Sequence, residues 1–327
     1  MKKLLTLLLV FTLLLSAFVS CGEEETPDNT QIRIGYMSGP TGMGMAKLIQ
    51  DNGGTSGNEK YSFKPYENTK LAIADMLANN IDVICLPTNE AADNYNKNKD
   101  SVVLSINTLN TLFLISDENN TFSSFDELEG KTIYTCQNGT PKVILEHLLE
   151  REGINATVST KVGDTTILSP KDLGTQLVAG KIDIAVVPEP IVTSSTLQRK
   201  QAGKAPYSID LSLGEIWKDN GDTEITMGCI VANKAFVEAH KSIINNFLLE
   251  YKSSIEFISD SKNINSAAEY IVESGIMAAL PAAKSALTNL GSAISYIDGS
   301  SMKQTLESFY NAIGVTNPDS DFYYNAE

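Results

Sequence analysis

Apolar positions along the chain spell one phrase twice. Residues 78–87 read Ala-Asn-Asn-Ile-Asp-Val-Ile-Cys-Leu-Pro, and residues 179–188 read Ala-Gly-Lys-Ile-Asp-Ile-Ala-Val-Val-Pro. Each is a helix end, Ile-Asp, a short apolar run and a proline. The unbroken apolar run predicts a buried parallel strand, which Pro87 or Pro188 stops at its carboxyl end. Upstream, Ile32–Met37 and Lys131–Thr135 are strand-like, and each leads into a turn rich in Gly, Thr and Pro. Helical patterns follow at Met43–Gln50 and after Pro141, the latter with Val143, Ile144, Leu145, Leu148 and Leu149 on its apolar stripe. A second strand (Tyr61–Tyr66; Thr157–Val162) and a second helix (Leu71–Ala78; Lys171–Ala179) complete each copy. The unit is β-α-β-α-β, twice, which predicts two α/β lobes with parallel sheets. Ligands of such sheets sit beyond the carboxyl ends of strands, so Pro87 and Pro188 point at one shared cleft.

The tail differs. Phe236, Val237, Ile243, Ile244, Phe247, Leu248 and Tyr251 recur at helical spacing, and further helices are expected at 263–275, 280–291 and 301–313.

The first thirty residues set the compartment. Met1-Lys2-Lys3 is basic, Leu4 to Val19 is almost wholly apolar, and Ser20-Cys21 closes the run. This is a secretory signal layout, short for a spanning helix. With Cys21 at its end it resembles a bacterial lipoprotein signal, cut before Cys21 so that the thiol carries lipid. Gly22 to Thr30 holds no apolar side chain beyond Pro27 and reads as a flexible tether. The expectation is an exported protein, lipid-anchored to the outer face of the cell membrane or in the periplasm. A net charge of −15 from 25 basic and 40 acidic residues becomes about −17 once Lys2 and Lys3 leave. That excess excludes nucleic acid as a partner and a polybasic membrane patch, leaving the lipid as anchor.

Catalytic chemistry finds no foothold. The two histidines, His147 and His240, fall on helical patterns away from any metal-spaced cluster. No G-x-S-x-G, H-E-x-x-H or P-loop occurs, and Gly39-Pro40-Thr41-Gly42-Met43-Gly44 lacks the P-loop lysine. Asp82 and Asp183 read as turn residues. Cys85 reads as core; Cys136 and Cys229 read as core or rim, and a bridge between them stays open in an exported chain. No catalytic residue, metal or cofactor is assigned. What remains is a pair of strand–loop–helix junctions, 38–43 and 137–141. Each sets Gly and Thr beside the unpaired N–H groups of a helix start, a place that suits an anionic or strongly polar small molecule.

Four further stretches carry a family likeness. They are Ile34-Gly35-Tyr36 with Gly39 to Leu48; Ser124 to Ile133; Ala179 to Pro190; and Tyr296-Ile297-Asp298-Gly299 before a last helix. Through them, over 31–315, the chain resembles type II periplasmic-binding-protein-fold lipoproteins of ABC importers. The group is that serving nitrate, sulfonates, taurine and thiamine-pyrimidine precursors. These motifs are specific for fold and transport role and not for the ligand.

The resemblance implies an α/β, two-lobed type II periplasmic-binding-protein fold, each lobe a mainly parallel sheet flanked by helices, with the ligand cleft between lobes. It implies a signal peptide at 1–20, a tether at 21–30, lobe one at 31–108 plus 233–327, and lobe two at 112–228. Hinge segments fall near 107–112 and 227–233. The chain would be a monomer that closes on a small molecule (aminopyrimidine, sulfonate, taurine or nitrate) and delivers it to a permease driven by an ATPase. Ligand contacts would come from Ser38, Gly39, Pro40, Thr41, Gly42 and Met43; from Thr88, Asn89, Asn107 and Asn110; and from Gln137, Asn138, Gly139, Thr140 and Glu189. Met43, Tyr36 and Tyr66 would supply apolar walls, and Lys64 and Lys142 positive charge. Glu189 has two readings, structural or ligand contact; the second favours a ligand with an N–H donor, such as an aminopyrimidine. Fold-related enzymes of pyrimidine-precursor and menaquinone synthesis are the rival class, and Cys21 with its leader argues against them. A surface lipoprotein that no longer serves transport is a third.

Overall fold

The computed structural model describes residues 29–137, 140–219 and 224–325. Cys21 and the leader lie outside the described residues, as do Asn138 and Gly139. Among the described residues thirteen strands are numbered in chain order. The first sheet joins β1 (Ile32–Met37), β2 (Tyr61–Tyr66), β3 (Val83–Pro87), β4 (Ser101–Thr108), β12 (Gly228–Asn233) and β13 (Ile294–Ile297), in the order β13-β4-β12-β3-β1-β2. The second joins β5 (Leu112–Ser116), β6 (Thr132–Tyr134), β7 (Thr157–Ser159), β10 (Ile184–Pro188) and β11 (Ser208–Ser212), in the order β11-β5-β10-β6-β7. A small hairpin, β8 (Lys161–Val162) and β9 (Thr165–Thr166), stands apart.

The repeated phrase lands as expected. In β3 and β10 the first four residues are buried and the closing proline half-buried. Each lies in the middle of its sheet. β2, β1 and β3 run parallel in one sheet, and β7, β6 and β10 in the other. The sheets are mixed, however. Each parallel half continues into antiparallel strands, β12 beside β3 and β5 beside β10. These are strands of the segments that pass between the two sheets. A chain that crosses over and returns enters the next sheet running opposite to the parallel set, and no apolar run announces that direction.

Several boundaries differ from the pattern, for local reasons. The expected strand 157–162 breaks after Ser159, whose hydroxyl accepts from the Lys161 N–H (3.4 Å) and donates to the Lys161 carbonyl (3.0 Å). Such side-chain bonds compete with a ladder. The expected helix at 43–50 becomes a short turn of helix, Pro40–Met43, and a helix Ala46–Asp51. The tail helix is interrupted at His240, giving Lys234–Ala239 and Lys241–Ser259. The remaining tail helices are Ile264–Glu273, Leu280–Leu290 and Gly299–Ala312. Elsewhere the caps are legible. Ser169 and Asp172 form a capping box on the helix Pro170–Ala179, and Gly180 ends it at a φ of 73°.

Asp82 anchors the turn before β3. Its carboxylate takes the Arg33 guanidinium (2.5 and 2.9 Å) and the Arg33 N–H (2.8 Å), tying that turn to β1. Cys85, Cys136 and Cys229 are buried and in no disulfide, so the open question of a Cys136–Cys229 bridge closes against it. Cys136 lies in the core of the second sheet and Cys229 in β12 of the first. Burial pushes the Cys85 thiol up to about 12 and raises Cys229 and Cys136 as well.

One apolar core runs on from the first sheet to a face of the second. The joint is aromatic. Trp217, on the helix Leu213–Asp219 that packs beside β5, lies 5.8 Å centroid to centroid from Phe309 of the helix Gly299–Ala312, which packs on β4. Both side chains are essentially unexposed.

Candidate functional site

Each predicted junction approaches an element of the other sheet. Thr140, first residue of the helix Thr140–Glu152 after β6, brings its hydroxyl to 3.4 Å from Asn89 Oδ1. Asn89 is in the first turn of the helix Thr88–Asn98 after β3. A Cβ added to Gly39, in the loop after β1, would stand 3.6 Å from Pro190 Cδ, just past the end of β10. Groups from the carboxyl ends of both parallel sets therefore touch, as strand ends of α/β sheets do around a ligand crevice.

The individual residues fall into two sets. Ser38 and Gln137 are exposed, Pro40, Thr41, Asn89, Asn110 and Thr140 are half-buried, and Glu189 is 2% exposed. Thr88, Asn107 and Asn110 are held by the protein itself. The Thr88 hydroxyl donates to the Thr226 carbonyl (2.7 Å), and Tyr310 donates to the Thr88 carbonyl (2.9 Å). Asn107 donates to the Thr41 carbonyl (3.1 Å) and accepts from the Thr108 hydroxyl (2.9 Å). Asn110 accepts from the Leu112 N–H (3.1 Å) and donates to Ser212 Oγ (3.2 Å). These three side chains brace the crossings between sheets. Thr41 carries a hydroxyl with no hydrogen bond among the described residues, and Thr140 only its 3.4 Å contact with Asn89.

The glycines divide as well. Gly39 has a φ of 85°, which favours glycine. Gly42 serves packing: an added Cβ would come within 1.8 Å of the Met37 carbonyl oxygen. The loop thus lies directly on the end of β1. Met43 and Tyr36 are wholly buried, and Tyr36 donates to the Ser274 carbonyl (2.7 Å), so both belong to the core beneath the loop. The helical turn Pro40–Met43 is too short to gather much dipole, Pro40 has no N–H, and the Gly42 N–H already bonds the Gly39 carbonyl (3.0 Å). The longer helices starting at Thr88 and Thr140 carry the larger dipoles at this end of the sheets.

Charge near the site is spoken for. Lys64 pairs with Asp75 (2.6 Å), Tyr66 donates to the same carboxylate (2.5 Å), and Lys142 pairs with Glu146 (2.6 Å). Glu189 accepts from Asn289 Nδ2 (2.6 Å), from the Thr193 hydroxyl (2.9 Å) and from the Thr193 N–H (3.2 Å). Desolvation raises its pKa, partly offset by these donors. Among the described residues no group of three or more His, Cys, Asp or Glu could hold a metal ion. His147 lies against Trp217 and His240 against Phe236.

Residues 96–262, just over half the chain, match the family described as NMT1/THI5 like. The chain belongs to the NMT1/THI5-like family. Solved structures repeat its fold. An ABC transporter protein from Parabacteroides distasonis has a TM-score of 0.71 at 17% identity, over 91% of this chain and 100% of that one. The periplasmic aliphatic sulphonate binding protein of Escherichia coli gives 0.66 at 15%, over 90% and 92%. The periplasmic nitrate-binding protein of Synechocystis gives 0.61 at 11%, over 88% and 81%. At such identities the likeness is one of fold, and the fold is the two-lobed type II periplasmic-binding-protein architecture. Among curated proteins none matches the sequence.

Sequence reasoning passed over Pro190, Thr193, Gly228, Ser285 and Asn289, which shape this region. Gly228 leaves space for Thr41 and Asn107. Ser285 and Asn289 stand four apart on one helix, as do Glu189 and Thr193 across a helix start. Such i,i+4 polar pairs are visible in a sequence, but nothing in a sequence says that the two pairs face each other.

Proposed function

We propose that this chain is the extracytoplasmic solute-binding component of an ABC importer. It captures a small polar molecule between two lobes and hands it to a membrane permease, without chemical turnover. The observation that carries this reading is the meeting of Thr140 with Asn89 and of Gly39 with Pro190, each pair drawn from different sheets. Lobe one comprises 31–108 with 233–327 and lobe two comprises 112–228, hinged near 107–112 and 227–233. Thr41, Asn89, Gln137 and Thr140 are the contacts best placed for ligand, because among the described residues their side chains make no hydrogen bond beyond the 3.4 Å contact of Thr140 with Asn89, whereas those of Thr88, Asn107 and Asn110 are held by the fold. Asn138 and Gly139 complete the second loop in this reading. The ligand falls in the aminopyrimidine, sulfonate, taurine or nitrate class. Since Glu189 is occupied by Asn289 and Thr193, it supplies no preference for an N–H donor. Cys21 anchors the exported chain through lipid.

Docking on the permease would use the same rim. Leu71 and Val143, in first helical turns after β2 and β6, and Leu168, just before the helix Pro170–Ala179, are large apolar side chains left exposed there.

Native mass spectrometry of protein taken from its source cell tests the proposal, followed by calorimetry with the compound found. A bound small molecule released unchanged is the expected result. Conversion of that molecule by the protein would overturn it.

A further inference from the structure

The buried carboxylate of Glu189 follows directly on β10, yet one of its partners comes from far along the chain. Asn289 Nδ2 lies 2.6 Å from Oε1, and the Thr193 hydroxyl 2.9 Å from the same oxygen. Oε2 accepts the Thr193 N–H at 3.2 Å, in the first turn of the helix Ile191–Gln201. Asn289 also reaches the Thr193 hydroxyl (3.2 Å), as does Ser285 Oγ (3.4 Å). The helix Leu280–Leu290 packs along the helix Ile191–Gln201 at this point.

The same tail segment is fastened at its other end to the first sheet. The Ser274 carbonyl accepts from the Tyr36 hydroxyl (2.7 Å), and the Ile276 carbonyl accepts from the Gly39 N–H (3.2 Å). Tyr36 belongs to β1, and Gly39 to the loop that faces Pro190. A closed circuit results: Gly39 to Ile276, along the helix Leu280–Leu290 to Asn289, across to Glu189, and through Pro190 back to Gly39. The eleven-residue helix is about 16 Å long, so the circuit is wide enough to span both loop regions.

We infer that segment 274–290 is a strap which sets the distance between the loop after β1 and the end of β10, with Glu189 as its anchor rather than a ligand contact. The importance of that distance for ligand rests on the function proposed above; the mechanical coupling does not. Both oxygens of Glu189 are taken by protein donors, and the carboxylate caps the helix that carries Thr193. Opening the loops therefore requires breaking charge-assisted bonds at Asn289 or releasing Gly39 from Ile276. A second contact between the sheets, Trp217 with Phe309, involves the last helix and is independent of the strap.

Hydrogen exchange resolved to single amides tests this in the full chain with no added compound. The reporters are the Thr193 N–H, bonded to Glu189, and the Gly39 N–H, bonded to Ile276. Asn289→Asp sets carboxylate against carboxylate at neutral pH. Both amides should exchange about tenfold faster or more, in line with loss of a charge-assisted bond. Glu189→Gln combined with Asn289→Asp reverses the pair, since the introduced side-chain amide can donate to the introduced carboxylate. Exchange at both amides should then return to within about threefold of the parent. Asn289→Ala removes the donor without adding charge and serves if the aspartate variant fails to fold; both amides should still speed up together. Acceleration at Thr193 with Gly39 unchanged would overturn the strap, because the latch would then be local to the helix Ile191–Gln201. A reversed pair no better than Asn289→Asp alone would overturn it too.

Discussion

Replacing Gly228 with alanine puts the crossing between sheets under direct load. Gly228 opens β12 opposite Pro87 and Thr108. An added Cβ would sit 2.5 Å from Asn107 Oδ1, 2.8 Å from Thr41 Cγ2 and 2.9 Å from Thr41 Oγ1. All three are shorter than real carbon contacts, so something must move. Asn107 is 1% exposed and holds two hydrogen bonds, to the Thr41 carbonyl (3.1 Å) and from Thr108 (2.9 Å). If its amide swings away, a buried polar group loses partners, at a cost of about 1–3 kcal/mol. If it stays, the loop carrying Thr41 must lift from β1, an overpacking cost of about 1–3 kcal/mol. Some of each is expected, so Gly228→Ala should lose about 2–4 kcal/mol in urea unfolding at unchanged slope. Asn107→Ser shortens the obstructing side chain. Combined with Gly228→Ala it should be more stable than the sum of the single changes implies, by about 1 kcal/mol. An alanine variant as stable as the parent, or strict additivity in the double variant, would refute the reasoning that this glycine exists to seat Asn107 and Thr41.

Other expectations follow from single contacts. Phe309→Ala should cost about 3–5 kcal/mol and shift the emission of Trp217, the chain's one tryptophan, because the joint between the sheets loses its filler; a large loss with unchanged emission would place the damage elsewhere. Lys64 and Tyr66 hold the Asp75 carboxyl down to about 2, from an ordinary 3.8. That contact stabilises the fold above pH 4 and is lost as pH falls through 2, so Asp75→Asn should flatten the acid limb of the stability curve, read by thermal unfolding from pH 2 to 5. Thr140→Val and Thr41→Val should each weaken the compound found by native mass spectrometry by about 1–3 kcal/mol in calorimetry; unchanged affinity in both would remove these loops from the site. Cys21→Ala should release the protein from membranes and remove a lipid mass from its first tryptic peptide, which mass spectrometry of the membrane fraction will read.

Much of the framework is written in the chain itself, because it depends on neighbours in sequence. A run such as Val83–Pro87 must be a buried strand, since no half-exposed element tolerates four consecutive apolar residues and then proline. The doubling of that phrase makes two units of one kind, and the glycine and threonine junctions after β1 and β6 mark their common open end. The family likeness rests on the same local phrases. What only the tertiary structure decided depends on distance between segments far apart. That Gly42 clears the Met37 carbonyl is a matter of how the loop lies on β1. That Asn107 and Asn110 brace crossings follows from where Thr41 and Ser212 arrive. Glu189 stood between two readings because its motif is local and its partner is not. Asn289 lies a hundred residues on and is brought to it by the packing of two helices, a contact to which sequence periodicity is blind.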